Sequence, residues 1–357
     1  MKVLSLFDGI SCGRLALERA GIPVEKYYAS EIDKYAIQVA QQNYPDTIQI
    51  GDVNSINWDD YGDSVDMVIG GSPCQDLSIA KQNREGLRGA RSGLFWKYVE
   101  ALEVIHPKWF LLENVASMRN EDRDAITATL KKIYPETEYI MINSALVSAQ
   151  QRRRYYWTNW HVEQPQDKGI LLKDILESDC GFPAAMRTRE DELGKFKRLE
   201  TKDDNKANSL TSVQTDSMVA EPITKRYMNN LRTPDEKANC LLSTSYKDAQ
   251  ANGMTNIPER IGTIGKGGQA GRIYSVRGKS VCLNANGGGG GAKTGLYKVD
   301  LPDGDYIIRK LTPVECERLQ TLPDNWTAGV SNTQRYKAIG NGWTVDVIAH
   351  ILKGLKA

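Results

Sequence analysis

Cys74 stands in the stretch "GGSPCQDLS", Gly70 to Ser78, directly behind a proline and after the apolar run "VDMVI". A cysteine that only packs would more naturally lie inside the apolar run. Here it falls where the chain turns and where small neighbours permit close approach, which suits a nucleophile. A thiol attacks as its thiolate, and positive charge or a helix N-terminus nearby favours that form. The following "QDLS" can open such a helix. Glu113, in "LLENV", ends another apolar run, and "QQRRRYYW" (Gln150 to Trp157) brings three adjacent arginines. If that stretch is extended, Arg152 and Arg154 share one face and Arg153 takes the other. Each residue also has a plainer reading: a small buried cysteine, a helix cap or core ion pair at Glu113, a solvated face for the arginines.

A second group of residues is acidic. "FDGISCG" (Phe7 to Gly13) follows the first apolar run and lacks the full GxGxxG of a dinucleotide site. Glu31 ends the next run, about 20 residues on, where a carboxylate can hold two ribose hydroxyls. Asp52 ends the third, placed to accept from an adenine amino group. Two acids and a turn poor in basic residues suit an adenosine without phosphates, so S-adenosylmethionine fits better than a nicotinamide dinucleotide. The alternative is that Glu31 and Asp52 only cap the turns that follow. Taken singly that reading would win; at successive strand ends it loses.

These side chains need a scaffold. "KVLSLF", "YYASEID", "TIQIGDV", "VDMVIGG" and "KWFLLENV" read as strands, and "RLALERAG", "KYAIQVAQQN" and "GLFWKYVEALEVI" as helices. That alternation predicts an α/β fold with a parallel sheet covered on both faces. Ligands bind such sheets beyond the carboxyl ends of the strands. Asp8, Glu31, Asp52, Cys74 and Glu113 all fall at those ends. From about Gln164 the rhythm breaks into a Gly-, Asn-, Ser- and Thr-rich stretch of short strand-like pieces. "KANSL", "KANCL" and "KSVCL" echo one another there, at irregular spacing. Thr312 and Pro313 then start a helix in "RKLTPVECERLQTLP", and "AIGNGWTVDVIAHILKGL" reads as a loop and a helix.

Bulk properties exclude several classes. A chain of 357 residues accommodates one large domain and a smaller one. The net charge of +1 means that any basic surface is local. Six cysteines without a CxxC pair, and three histidines, argue against zinc and against metal in general. No apolar stretch is long enough for a signal peptide or a membrane span. Free thiols suit a reducing, cytoplasmic setting.

In the order "FDGISCG", "SEID", "GDV", "GGSPCQDLS", "ENV", "QQRRRYYW", "RKLTPVECERLQTLP", "IGNGW", the chain resembles the DNA (cytosine-5)-methyltransferase family. Its first part looks especially like the catalytic domain of the animal de novo enzymes. No chromatin-reading extension precedes Met1, which favours a bacterial or phage enzyme. The resemblance covers residues 1 to about 163 and about 306 to 357. It implies a Rossmann-like S-adenosylmethionine-dependent methyltransferase domain (1–163 and 306–357) and a smaller, mostly β target-recognition domain (164–305).

The resemblance also implies roles. Cys74 would add to carbon 6 of a flipped-out cytosine, Glu113 would hold the ring edge, Arg154 the carbonyl oxygen, and Arg152 would lie near Cys74 and the phosphate backbone. The cofactor would meet Phe7, Asp8, Gly9, Ile10, Glu31, Ile32, Asp52, Val53, Pro73 and Leu94, closed by Asn341, Gly342 and Trp343. The loop "SIAKQNREGLRGARSG" would close over the base, with Ser78 near double-stranded DNA and Arg84, Arg88 and Arg91 on phosphates. Between Pro258 and Lys298, Arg260, Lys266, Arg272, Arg277, Lys279 and Lys293 stand against a single acid, Glu259, as DNA contacts. A solvated glycine linker is the alternative for "NANGGGGGAKTG". The expected enzyme acts as a monomer on DNA, near the nucleoid, with or without a cognate restriction endonuclease. A tRNA methyltransferase on the same catalytic domain, a relative without chemistry and a nicotinamide oxidoreductase are the competing readings.

Overall fold

The computed structural model describes residues 1–62, 64–72, 93–177 and 311–355, and, between 182 and 310, residue 206 and the strands named below. Two compact units emerge. One comprises Met1–Leu171, Ser209–Ser212 and Thr312–Ala357, the other Leu172–Asn208 and Val213–Leu311.

The first unit is built on a seven-stranded sheet. Its strands are β1 (Lys2–Leu6), β2 (Lys26–Ser30), β3 (Ile48–Gln49), β4 (Met67–Gly71), β5 (Trp109–Val115), β6 (Glu138–Asn143) and β8 (Arg153–Thr158), with a short β7 (Gln150–Gln151) outside it. The order is β3-β2-β1-β4-β5-β8-β6. The first five strands are parallel, as their alternation with helices predicts, and β8 runs antiparallel to both β5 and β6. Strand order reverses between β1 and β4, which makes their carboxyl ends the switch point where such folds bind ligands.

Side chains alternate across the sheet because the strand period is two. Val3, Ile69 and Leu111 join one core; Leu4, Val68 and Leu112 join the other. Helices cover both faces, as buried parallel strands require. On the first face lie α1 (Cys12–Arg19), contributing Leu15 and Leu17, and α7 (Val345–Lys353), contributing Val347 and Ile348. On the second lie α3 (Gly93–Ile105), through Phe95, Tyr98 and Leu102, and α4 (Asn120–Ile133), through Ile126 and Leu130. The helix α2 (Lys34–Asn43) is capped by Asp33, whose side chain accepts from the Tyr35 N–H.

The C-terminal part adds α5 (Pro313–Leu319) and α6 (Asn332–Asn341). Thr312 and Glu315 close α5 with a capping box behind Pro313. "AIGN" is the last turn of α6 rather than a loop: Gly342 then leaves helical backbone and satisfies the helix end. The third strand is shorter than "TIQIGDV" suggests. Asp52 instead caps a 3₁₀ turn over Val53–Ser55.

The second unit opens with a 3₁₀ turn over Leu172–Ile175, and its other described elements are strands. β9 (Phe182–Asp191), β10 (Gly194–Thr201), β12 (Met218–Pro222) and β16 (Tyr306–Lys310) form a sheet ordered β10-β9-β12-β16, antiparallel throughout. β13 (Arg260–Thr263), β14 (Arg272–Tyr274) and β15 (Leu296–Tyr297) form a second, three-stranded sheet. The remaining strand, β11, is Ala207–Asn208.

Candidate active site

The turn after β1 is an unusual piece of backbone. Phe7, Gly9 and Ser11 all have left-handed φ, at 60°, 63° and 59°. Such a conformation costs a non-glycine residue on the order of 1 kcal/mol and persists only where its surroundings over-determine it. Asp8 supplies that restraint. Its carboxyl is buried and accepts from Ser11 Oγ at 2.6 Å and from Tyr27 Oη at 2.7 Å. Burial raises its pKa above the ordinary aspartate value, against the hydrogen bonds from Ser11, Ser5 and Tyr27. Ile10 is also fully buried, and its carbonyl accepts from the Trp326 indole at 3.1 Å. Asp8 and Ile10 thus face inward, and what they offer a ligand is the shape of the turn.

Glu31 reaches the same turn. Its Oε2 accepts from the Gly9 N–H at 2.9 Å, and its Oε1 from the N–H groups of Ile32 and Asp33 at 2.7 and 2.8 Å. Asp52 Oδ1 accepts from both nitrogens of Asn54 at 2.9 Å. Both acids therefore cap the backbone that follows them. A carboxylate has about four acceptor sites, so capping leaves each with capacity for a further donor. Between them Ile32 is 74% exposed, an apolar side chain held out at a strand end. Phe7 is half-buried, Val53 is buried, and half-buried Leu94 opens α3. An apolar ledge beside two acids, at the carboxyl ends of the parallel strands, fits an uncharged purine and its ribose.

One carboxylate lies deeper. Glu113 is 8% exposed, in register with Gly71 across the β4–β5 pair. Arg154 Nε meets its Oε1 at 2.9 Å. The Trp343 indole N–H donates to its Oε2 at 3.2 Å. The next residue, Asn114, donates to Ser72 Oγ at 3.1 Å and so fixes the end of β4. Tyr156 opposes Glu113 on β8. Burial, then the Glu113 charge, pushes that phenol well up and keeps it neutral.

The arginines separate as alternation predicts: Arg153 is exposed, Arg154 half-buried and Arg152 buried. Arg152 Nη2 donates to the Gly342 carbonyl at 2.9 Å and its Nη1 to that of Gly340 at 3.4 Å. Gln320 Nε2 donates to the same Gly342 carbonyl at 3.1 Å. This anchors Asn341–Gly342–Trp343, of which Asn341 is exposed and Trp343 half-buried.

Sequence reasoning missed three contributors. Gly71 is one: a Cβ there would lie 2.8 Å from Trp343 Nε1 and 2.9 Å from Glu113 Oε2. The adjacent glycines of "GGSPC" were its only signal. Tyr27, on β2, and Gln320, inside "RKLTPVECERLQTLP", are the others, and no spacing marked either as part of the site. Cys12 and Cys316 are buried, and burial pushes the Cys12 thiol up to about 12 and the Cys316 thiol up as well. Neither is a ready thiolate.

Pro73, Cys74, Ser78, Arg84, Arg88 and Arg91 lie outside the described residues, as do Lys266, Arg277, Lys279 and Lys293. Arg260 and Arg272 stand on β13 and β14. Among the described residues no cluster of His, Cys, Asp and Glu could hold a metal ion, and no helix is long and apolar enough to cross a membrane.

Comparison with known proteins gives this geometry a family. The type II methyltransferase M.HhaI of Haemophilus parahaemolyticus is 28% identical over 365 residues, covering 98% of this chain and 93% of its own length. The orphan methyltransferase M.SPRI of Bacillus phage SPR is 27% identical over 440 residues, covering 99% and 97%. Among solved structures, a Spodoptera frugiperda DNMT2 variant shares the fold, with a TM-score of 0.56 at 17% identity over 99% of both chains. The family model for C-5 cytosine-specific DNA methylase matches residues 1–357. The chain therefore belongs to the C-5 cytosine-specific DNA methylases: it is a DNA (cytosine-5)-methyltransferase that takes its methyl group from S-adenosylmethionine.

Proposed function

We propose that Cys74, Glu113 and Arg154 carry out methyl transfer to carbon 5 of a cytosine extruded from double-stranded DNA. The observation that carries this reading is the buried Glu113 carboxylate, braced by Arg154 and Trp343 beside the end of β4. Cys74 follows Ser72 by two residues in the sequence. The target atom is inaccessible inside a duplex, so the base must leave the stack.

Carbon 5 of cytosine is a weak nucleophile. Addition of the Cys74 thiolate to carbon 6 forms a carbon–sulfur bond and moves the ring electrons onto carbon 5. Glu113 holds ring N3 and the exocyclic amino group and stabilises charge as it develops. Arg154 reaches the base carbonyl oxygen while steadying Glu113. S-Adenosylmethionine, when bound, supplies the electrophilic methyl group that carbon 5 accepts. Loss of the carbon-5 proton then returns electrons to the ring and expels the Cys74 sulfur.

For the cofactor, Ile32 and Phe7 offer apolar contact to adenine, Glu31 the ribose hydroxyls and Asp52 the adenine amino group. Val53, Pro73 and Leu94 line the pocket, and Asn341–Trp343 close it. Arg152 acts through the Gly342 carbonyl that it holds. The second unit serves as the target-recognition domain, with Arg260 and Arg272 on its three-stranded sheet among the DNA contacts. The enzyme works as a monomer on DNA in the cytoplasm of a bacterial or phage-infected cell.

The test is Cys74→Ala with bisulfite sequencing of plasmid from expressing cells. The parent protects cytosines in one short recurring sequence. The variant protects none, yet still binds S-adenosylmethionine. Full protection by the variant overturns the mechanism. Methylation of tRNA without plasmid protection by the parent overturns the substrate.

A further inference from the structure

Trp343 belongs by sequence to the segment that closes the cofactor site, yet its indole N–H is spent on Glu113, at 3.2 Å from Oε2. We propose that Trp343 is a positioning residue that fixes the plane of the Glu113 carboxylate, and so couples the C-terminal segment to the base pocket. This rests on the assignment of Glu113 to the cytosine edge.

The terminal torsion of a glutamate is broad, so a single donor leaves the carboxylate free to swivel. Donors on separate oxygens remove that freedom. Arg154 takes Oε1 and Trp343 takes Oε2. The direction of the remaining lone pairs, which a cytosine amino group must meet, is then set before the base arrives. Such prior orientation is where an enzyme gains most from a hydrogen bond.

The indole is itself held firmly. A Cβ at Gly13 would meet Trp343 Cζ3 at 3.3 Å, and one at Gly71 would meet Nε1 at 2.8 Å. The ring therefore fills the space between a glycine in the first turn of α1 and one at the end of β4. Its backbone is held too. Arg152 and Gln320 donate to the preceding carbonyl of Gly342, and Cys12 has a backbone hydrogen bond with Trp343. Anything that seats or displaces the 341–343 segment is thus felt at Glu113 through one N–H group.

The test is a double-mutant cycle of Trp343→Phe and Glu113→Gln, with methyl incorporation into plasmid DNA as the assay. Phenylalanine keeps a ring between the glycines and removes the donor. Trp343→Phe should lower kcat about tenfold, the scale of one hydrogen bond to a charged group, and by more than it raises the Kd for S-adenosylmethionine, since the ring that helps close the cofactor site is kept. In the Glu113→Gln background the same change should cost less than about twofold, because the group it acts through is gone. An undiminished tenfold loss in that background, or an unchanged kcat in the single variant, overturns the proposal. A Glu113→Gln enzyme with full rate instead refutes the role of Glu113, and this inference falls with it. If Trp343→Phe does not fold, benzothienylalanine installed at 343 keeps the bicyclic shape without the N–H. The same loss is expected, and full kcat overturns the proposal.

Discussion

Replacing Gly71 by alanine adds one methyl group against both Glu113 and Trp343. That Cβ would sit 2.9 Å from Glu113 Oε2 and 2.8 Å from Trp343 Nε1, where ordinary contact begins at 3.4 Å. Something must retreat by roughly half an ångström, and both neighbours are already braced. An ångström of misplacement at reacting groups costs about a hundredfold, so half that distance should cost about tenfold in kcat. Overpacking should also lower stability by about 1–3 kcal/mol. Gly70→Ala is the control. Its Cβ would lie 2.9 Å from Tyr98 Cε2 and 3.1 Å from the Leu6 carbonyl, on the core side of β4. It should destabilise comparably while disturbing chemistry far less. The assay is methyl incorporation into plasmid DNA per folded molecule, with urea unfolding of each variant alongside. Full kcat in Gly71→Ala, or equal loss of kcat in both variants, would refute the argument that Gly71 is glycine for the sake of Glu113.

Three further outcomes are expected. Glu113→Gln should lower turnover far more than affinity for S-adenosylmethionine, since the proposed mechanism puts its charge at the base and not at the cofactor ledge; an unchanged rate in steady-state methylation contradicts its role. Asp8→Asn tests the buried carboxyl under the β1 turn. Burial raises the native pKa of Asp8 above 3.8, so its contribution is favourable below that pH and is lost as pH rises, when the unfolded chain releases a proton the native state retains. The variant lacks this slope, so its urea midpoint relative to the parent should climb as pH rises above about 4; a difference that is flat with pH contradicts a raised native pKa. Thr312→Ala removes the capping box of α5 and should cost about 1 kcal/mol in unfolding free energy, with kcat little changed; no loss of stability would show the cap to be redundant.

The sheet was legible because its strands are buried on both faces. "KVLSL", "DMVIG" and "WFLLENV" are apolar runs whose only stable home is a covered parallel sheet, and α2 and α3 begin and end where the residue pattern places them. The ends of those strands followed, and with them Asp8 and Glu31, just beyond β1 and β2; Glu113 instead lies inside β5, two residues before its end, and Asp52 three residues past β3. Their order along the chain, read with "GGSPCQDLS" and "QQRRRYYW", was enough to point to the family.

Where each side chain turns was decided by tertiary structure. No local pattern distinguishes Asp8, bonded inward to Tyr27 and Ser11, from Glu31, which spans three backbone N–H groups. Arg152 and Arg154 share a face by strand alternation. One nevertheless grips the Gly342 carbonyl and the other the Glu113 carboxylate, because the partners come from elements far away in sequence. Gly71 and Trp343 stand 272 positions apart in the chain, and they meet because β4 and the turn before α7 converge on one strand end. A sequence records which groups a chain can offer. Which of them share a carboxylate is fixed only when long-range packing brings distant strand ends together.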